Sequence, residues 1–158
     1  RQWSRGLGDV YKRQLYGPND NFDLETSHVL PALIRKVHEA KIKNKSTVEV
    51  WGTGEVKREF LYIEDLADAC IFCMNNYDSP DIINVGIGKD ITIKELIYTI
   101  ANVLEYKGGI IWDRTKPDGT PRKLLDVSKL TNLGWKASTS LEDGVRKTYE
   151  RYLNKVNI

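Results

Sequence analysis

The sequence predicts an α/β fold in which short strands, paired mainly in parallel, alternate with helices. Three observations support this prediction. Residues 60–63 form a continuous apolar run, which is typical of a strand covered on both faces. Residues 48–50 alternate apolar and charged side chains, as a half-buried strand does. Thr92 and Ser140 each precede an acidic residue by three positions, which is the pattern of a helix N-terminal cap.

The coherent pattern begins at Leu15. Residues 1–14 show no hydrophobic period and carry four basic residues against one acidic residue, so we expect a non-native or misread end there. The chain opens with Arg1, and its only methionine is Met74. We therefore expect residues 15–158 to be a piece of a longer protein.

The first predicted elements are a strand end at residues 15–18 and a helix capped by Thr26 or Ser27. One side of this helix is apolar and carries Val29, Leu30, Leu33, Ile34 and Val37. The strand at residues 48–50 comes next. The two glycines within residues 52–54 then give the backbone the freedom that a tight reversal needs before the following strand.

The later elements continue the alternation of helices and strands. They are a helix over residues 63–76, a buried strand within residues 81–88, a helix after Thr92, a strand over residues 109–112, a polar loop over residues 116–123, a short helix from Asp126 and a last helix over residues 141–153. The strands at residues 60–63 and 82–85 have too few partners to be covered on both faces, and no glycine-rich dinucleotide loop is present. We therefore expect a missing N-terminal half to complete the sheet.

The composition restricts the possible partners. Lys and Arg total 24 and Asp and Glu total 22, so the net charge is only +2, which argues against a nucleic-acid-binding stripe. No apolar run reaches membrane-spanning length and no signal sequence opens the chain, so we expect a cytoplasmic protein without a membrane partner. Cys70 and Cys73 lie in a helical pattern without a second ligand pair, so we expect packing rather than a metal site.

Three stretches resemble the extended short-chain dehydrogenases/reductases, Rossmann-like enzymes that act on sugar nucleotides. They are Leu-Tyr-Gly-Pro at residues 15–18, the strand–turn–strand run at residues 51–65 and Ile-Asn-Val-Gly at residues 83–86. The resemblance implies that residues 15–158 are the C-terminal, substrate-binding half of that fold, with some strands and helices completing the Rossmann sheet. The N-terminal, dinucleotide-binding half would then be missing.

Within this superfamily, further stretches resemble the GDP-L-fucose synthases: residues 19–22 with residues 27–33, Trp51, and the loop at residues 116–126, which is the most specific. The resemblance implies conversion of GDP-4-keto-6-deoxy-D-mannose to GDP-L-fucose by epimerisation at C3 and C5 and NADPH-dependent reduction at C4. The family's Tyr-x-x-x-Lys pair, catalytic Cys and glycine-rich loop lie in the N-terminal half. The resemblance thus implies a full-length homodimer that binds NADPH mainly through the missing half, and a fragment that is inactive alone.

The resemblance assigns His28 an acid/base role in the epimerisation and places it, together with Leu15, next to the cofactor. Epimerisation beside a ketone needs one group to remove a proton and another to return it on the opposite face, and an imidazole suits this task. Without the resemblance, a helix-capping or surface histidine would be the simpler interpretation. His38 has no such match, and we expect it to face solvent.

The resemblance assigns four residues to substrate binding: Lys36, Trp51, Arg58 and Asp118. Two cations suit a diphosphate, and a guanidinium can bind it through two parallel hydrogen bonds. An indole can stack on a base or sugar, and a carboxylate in a proline-stiffened loop can accept hydrogen bonds from the nucleotide. The alternative for Arg58 is a surface ion pair with Glu59 or Glu64. For the other three residues the alternatives are a solvated lysine, an indole packed between strand and turn, and a turn-stabilising Asp.

Two other functions stay open. One is another NAD-dependent sugar-nucleotide epimerase or dehydratase, which would share the run at residues 51–65 but is not expected to show the loop at residues 116–126. The other is a non-catalytic sugar-nucleotide-binding module. That function would be the one left to this chain if no Tyr-x-x-x-Lys pair lay upstream of it.

Overall fold

The computed structural model describes residues 15–156, and the prediction for residues 1–14 lies outside them. In chain order the elements are β1 (Leu15–Tyr16), α1 (Val29–Ile42), β2 (Thr47–Trp51), β3 (Lys57–Glu59), β4 (Leu61–Tyr62), α2 (Ile63–Asn76), β5 (Asp90–Thr92), α3 (Ile93–Val103), β6 (Gly109–Asp113), β7 (Arg122–Lys123), α4 (Ser128–Asn132) and α5 (Leu141–Val156). The predicted alternation of short strands and helices is confirmed.

The described strands pair in three small sheets, and most of the pairs are parallel. β1 pairs with β4, and β2 pairs with β6 over five residues, ending with Trp51 opposite Asp113. β3 lies between β5, which is antiparallel to it, and β7, which is parallel to it. Gly52 and Gly54 both have positive φ, +86° and +81°, as a tight turn requires. Their turn does not close a hairpin, because it leads from the sheet of β2 to the sheet of β3.

The main core lies between α1, α3 and the β2–β6 pair. The apolar face predicted for α1 is buried, with Leu30, Leu33, Ile34 and Val37 at most 3% exposed. The other helices contribute Ile93, Leu96, Ile97 and Ile100 from α3 and Val145 and Tyr152 from α5. Since a closely packed core holds its elements at set distances, it positions α1 against the end of β2, where the candidate site lies.

The predicted caps of α3 and α5 are confirmed. Thr92 and Glu95 form a reciprocal capping box, in which the Glu95 amide donates to Thr92 Oγ1 at 3.0 Å and the Thr92 amide donates to Glu95 Oε2 at 2.7 Å. At the start of α5, the Asp143 amide donates to Ser140 Oγ at 3.1 Å. Both caps are local patterns, so the sequence alone was enough to predict them.

The predicted cap of α1 is wrong, because the N-cap is His28 rather than Thr26 or Ser27. The Thr26 amide and hydroxyl donate to Asp23 Oδ1 at 3.0 and 2.9 Å, so Asp23 closes a separate turn before the helix. The His28 side chain makes no capping hydrogen bond. The Asp23 turn therefore leaves His28 at the tip of α1.

Residues 81–88 form no strand, contrary to the prediction. Side chains hold this segment instead: Asn84 Nδ2 donates to the carbonyl of Asp126 at 2.9 Å, and the Gly88 amide donates to Glu59 Oε1 at 2.7 Å. A strand needs a neighbour for its ladder of hydrogen bonds, and no strand within residues 15–156 pairs with this segment. That a missing N-terminal half supplies the partner stays a prediction.

A smaller core beneath α2 consists of Leu61, Ala69, Leu130 and Trp135. The predicted position of Cys70 and Cys73 inside a helix is confirmed, and both are free thiols. Cys70 is exposed and Cys73 is half-buried. The predicted packing is therefore wrong for Cys70, because it lies on the side of α2 that faces away from this core.

His38 is buried, although the sequence predicts that it faces solvent; only 6% of the residue is exposed. Its Nδ1 lies 3.0 Å from the Tyr149 hydroxyl, and its ring lies edge-on to those of Tyr149 and Tyr152. This burial lowers the pKa of His38. The prediction fails because α5, which supplies both tyrosines, packs onto α1 from 111 residues further along the chain.

Candidate functional site

A cavity of about 760 Å³ opens between α1, the end of β2 and the loop that precedes β7; we call it the main cavity. All four residues predicted to bind substrate line it: Lys36, Trp51, Arg58 and Asp118. Its apolar walls include Val29, Leu33, Val50, Val56, Ile93 and Pro117. A large, mostly apolar pocket with a few converging polar groups is the usual form of a small-molecule site.

Lys36 on α1 and Trp51 at the end of β2 meet at the rim of the main cavity. The Lys36 ammonium lies 5.2 Å from the centre of the indole ring and donates to the Glu49 carbonyl at 3.2 Å. Partial burial lowers the pKa of Lys36. Trp51 is 59% exposed, so it is not an indole packed between strand and turn. The pair presents an open aromatic ring with a cation beside it.

Arg58 lies in the middle of β3, between β5 and β7. Its guanidinium donates to the Lys57 carbonyl at 2.7 Å, and burial lowers the pKa of Arg58. One glutamate considered as an ion-pair partner, Glu64, lies 3.6 Å from Lys147 instead. A partly buried guanidinium at a cavity wall suits an anion that enters the cavity, because removing water strengthens the attraction.

Asp118 is held by the turn that follows β2. Its Oδ1 accepts from the Thr53 amide and its Oδ2 from the Thr53 hydroxyl, both at 2.7 Å, and these hydrogen bonds lower the pKa of Asp118. A Cβ atom at Gly52 would collide with this carboxylate, so the contact requires glycine there. The carboxylate therefore joins two separate loops rather than stabilising only its own turn.

His28 and Leu15 do not line the main cavity. They line a neighbouring depression of about 280 Å³ beside β1, together with Gly17, Asp20 and Ile63. The chain neighbours of His28, Ser27 and Val29, do line the main cavity. The tip of α1 thus separates the two spaces. The structure brings the four predicted binding residues together in the main cavity. It places the predicted acid/base residue, His28, on the other side of that tip, in the depression.

Three residues near the main cavity were not predicted as functional. The Ser27 hydroxyl is buried and has no hydrogen-bond partner among residues 15–156. Thr53 holds Asp118, as described above. The Lys116 ammonium lies 5.5 Å from the centre of the Trp51 ring. The sequence signal for Lys116 is its place in the loop at residues 116–126, two residues before Asp118; its contact with Trp51 depends on the fold.

Neither a membrane-spanning helix nor a metal-binding cluster is present among residues 15–156. None of the helices there is both long enough and apolar enough to cross a membrane. No three His, Cys, Asp or Glu side chains in that range are grouped as a metal ion would need.

Known proteins resemble this chain both in sequence and in fold. Residues 13–86 match the model of the NAD dependent epimerase/dehydratase family. The chain is 56% identical over 142 residues to a putative GDP-L-fucose synthase 2 of Arabidopsis thaliana, covering 90% of this chain and 43% of that protein. It is 48% identical over 162 residues to a GDP-L-fucose synthase of Escherichia coli, covering 97% and 50%. The chain is homologous to the C-terminal portion of GDP-L-fucose synthases.

A solved structure agrees with this relationship. The crystal structure of a GDP-L-fucose synthetase from Naegleria fowleri bound to NADP matches with a TM-score of 0.84 at 30% identity, over 91% of this chain and 46% of that one. The chain spans about half the length of the curated GDP-L-fucose synthases it matches. The fold class implied by the resemblance, the C-terminal half of an extended short-chain dehydrogenase/reductase, is confirmed. The roles of the individual residues stay predictions.

Proposed function

We propose that this chain is the sugar-nucleotide-binding part of a GDP-L-fucose synthase. The whole protein would convert GDP-4-keto-6-deoxy-D-mannose to GDP-L-fucose by epimerisation at C3 and C5 and reduction at C4. The observation that carries the proposal is the convergence of Lys36, Trp51, Arg58 and Asp118, which are distant in sequence, on one cavity. The homology to named synthases over 90% of the chain supports the choice of substrate.

The main cavity would bind the GDP end of the substrate. Lys36 and Arg58 would contact the diphosphate, where charge-assisted hydrogen bonds are strongest. The exposed Trp51 ring offers a surface on which a purine can stack. Each oxygen of Asp118 already accepts one hydrogen bond from Thr53 and keeps a further lone pair for a donor of the base.

The position of His28 requires the substrate to extend around the tip of α1. Because Ser27 and Val29 line the main cavity and His28 lines the depression, a GDP-sugar bound in the main cavity would reach His28 with its sugar end. At that end, His28 would exchange a proton with the carbon beside the ketone. A partner on the opposite face of the sugar would complete each inversion.

The depression would hold part of the cofactor. At about 280 Å³ it has room for a fragment of a dinucleotide, bordered by Leu15 and His28, so most contacts with NADPH would come from elsewhere. NADPH supplies the hydride for the reduction at C4. The proposal further includes a homodimeric, cytoplasmic full-length protein, which gel filtration with light scattering and cell fractionation would test.

The experiment that tests the proposed function is turnover by the full-length protein that carries this chain. We expect GDP-4-keto-6-deoxy-D-mannose to consume one NADPH per GDP-L-fucose formed, followed by absorbance and by NMR of the product. A UDP-sugar control should give no turnover. Failure to consume NADPH with the GDP-sugar would contradict the proposal, and turnover of the UDP-sugar alone would favour another epimerase or dehydratase.

A further inference from the structure

The Trp51 indole has two lysines beside it. The Lys36 ammonium lies 5.2 Å and the Lys116 ammonium 5.5 Å from the centre of the ring. An attraction between a cation and an exposed aromatic ring is weak, because water competes for the cation. A stacked base needs a ring face that is not covered. An ammonium over the face that a base takes up would therefore have to leave the ring.

The fold places Lys116 over Trp51 through a short chain of contacts. Trp51 pairs with Asp113 at the end of the β2–β6 ladder, and the Gly52 amide donates to the Asp113 carbonyl at 2.9 Å. Asp113 Oδ1 then accepts from the Thr115 amide and hydroxyl, at 3.0 and 2.6 Å, which turns the chain back towards Trp51. Lys116 follows directly on this turn.

A second anchor holds the other end of the same loop. Asp118 accepts two hydrogen bonds from Thr53, the second residue after Trp51. The backbone on both sides of Lys116 is thus attached to the segment that carries the indole. Its side chain is exposed and carries its ammonium on a flexible four-carbon stem, so it can adopt other rotamers without moving the backbone.

The two lysines differ in what else they contact. Lys36 is half-buried and donates to the Glu49 carbonyl at 3.2 Å. Within residues 15–156, the Lys116 ammonium has no hydrogen-bond or ion-pair partner; besides the ring, only the Asp113 carboxylate attracts it, electrostatically and from a longer distance. Movement away from the ring therefore breaks no hydrogen bond of Lys116, whereas Lys36 would put its hydrogen bond to the Glu49 carbonyl at risk.

We infer that Lys116 is a further substrate-binding residue, whose ammonium moves from the Trp51 ring to the diphosphate when a purine nucleoside diphosphate binds. The inference rests on the proposed function of the main cavity and adds a third cation to Lys36 and Arg58. A weak contact with an exposed ring is exchanged for a charge-assisted hydrogen bond to phosphate, which is stronger. Lys116 thereby selects for the diphosphate rather than for the base.

The test compares three variants of the full-length protein: Lys116→Met, which keeps the length and loses the charge; Lys116→Arg, which keeps the charge; and Lys107→Met as a control. Lys107 is an exposed lysine that does not line the main cavity. Calorimetry gives the affinity for GDP, and competition with a fluorescent GDP analogue gives the affinity for guanosine. We expect Lys116→Met to weaken GDP binding about tenfold and to leave guanosine binding unchanged or tighter.

The remaining outcomes separate this inference from the proposed function. Lys116→Arg should retain most of the affinity for GDP, and Lys107→Met should behave as wild type. An unchanged GDP affinity in Lys116→Met would overturn the inference alone, as would an equal loss for GDP and guanosine, since Lys116 would then act only by supporting Trp51. A wild-type protein that does not bind GDP would overturn the proposed function and the inference together.

Discussion

The main cavity and the depression at His28 differ in how much of their surroundings this chain supplies. The walls of the main cavity include Leu33 of α1, Val50 of β2 and Ile93 of α3, which belong to the main core, and Arg58 of β3. The depression lies beside the two-residue strand β1 and the start of α2. Further along α2, Ile71 is 61% and Met74 84% exposed, on adjacent positions of one helix face.

This difference separates binding from proton transfer. The groups that we propose for GDP binding are held by contacts within the chain, such as those between Thr53 and Asp118. The residue that we propose for proton transfer lies at a shallow surface next to the less covered part of the molecule. Substitutions in the main cavity should therefore change affinity, whereas substitutions in the depression should change the chemistry and leave affinity nearly intact.

The largest expected effect is that of His28→Gln in the full-length protein. Exchange of the C3 and C5 protons of the substrate into deuterated water should fall about 100-fold or more, because a positioned acid/base group is lost. Affinity for GDP should stay within about twofold of wild type. NMR follows the exchange, and calorimetry follows binding. His38→Gln, normalised to folded protein, is the matched control; unchanged exchange in His28→Gln would refute its role.

Arg58→Ala should have the next largest effect and should act on binding. We expect GDP affinity to weaken by about 2 kcal/mol, as for the loss of a hydrogen bond to a charged group. The matched control is Arg122→Ala on the adjacent strand, where the guanidinium pairs with Asp90 and does not line the main cavity. Equal GDP affinities of the two variants in a calorimetric titration would show that Arg58 does not contribute to GDP binding.

Thr53→Val tests how the loop that carries Asp118 is held. Valine keeps the shape of the side chain but removes the hydroxyl that donates to Asp118 Oδ2, while the backbone donor remains. GDP affinity should fall about fivefold, because the loop loses one of its two hydrogen bonds to the turn. Thr47→Val, at the exposed start of β2, should bind GDP like wild type. If the two valine variants bind equally well, the Thr53 hydroxyl does not hold the binding loop.

The smallest expected effect lies outside both spaces, at His38. Because burial lowers the pKa of His38, the folded protein favours the neutral imidazole and the unfolded chain takes up its proton first as the pH falls. Stability is complete above the ordinary pKa of about 6.5 and decreases as the pH falls below it. Melting temperatures between pH 7 and pH 5 should fall more steeply for wild type than for His38→Phe. Parallel curves would show that His38 does not contribute.

The sequence predicted the features that depend on residues close together in the chain and the features implied by the resemblance to a known family. The capping box of Thr92 and Glu95 spans three positions, and the four residues of the main cavity followed from the resemblance. Contacts between residues that are far apart in the chain could not be predicted in this way. Thr53 meets Asp118 across 65 positions, and the burial of His38 depends on α5.

Two errors in local structure have the same origin. Residues 81–88 have a strand-like composition, but a strand forms only where a partner accepts its hydrogen bonds. The cap of α1 moved to His28 because Asp23 binds the amide and hydroxyl of Thr26. In both places the local pattern favoured the predicted structure, but contacts made or missing elsewhere in the described chain decided the outcome.

The most direct test of the account is a crystal structure of the full-length protein with GDP. We expect the guanine ring on the indole of Trp51, and diphosphate oxygens about 3 Å from the guanidinium of Arg58 and the ammonium of Lys36. His28 should lie beyond the diphosphate, on the side where the sugar would extend. GDP bound away from the main cavity, with Trp51 and Arg58 both unoccupied, would contradict the central claim.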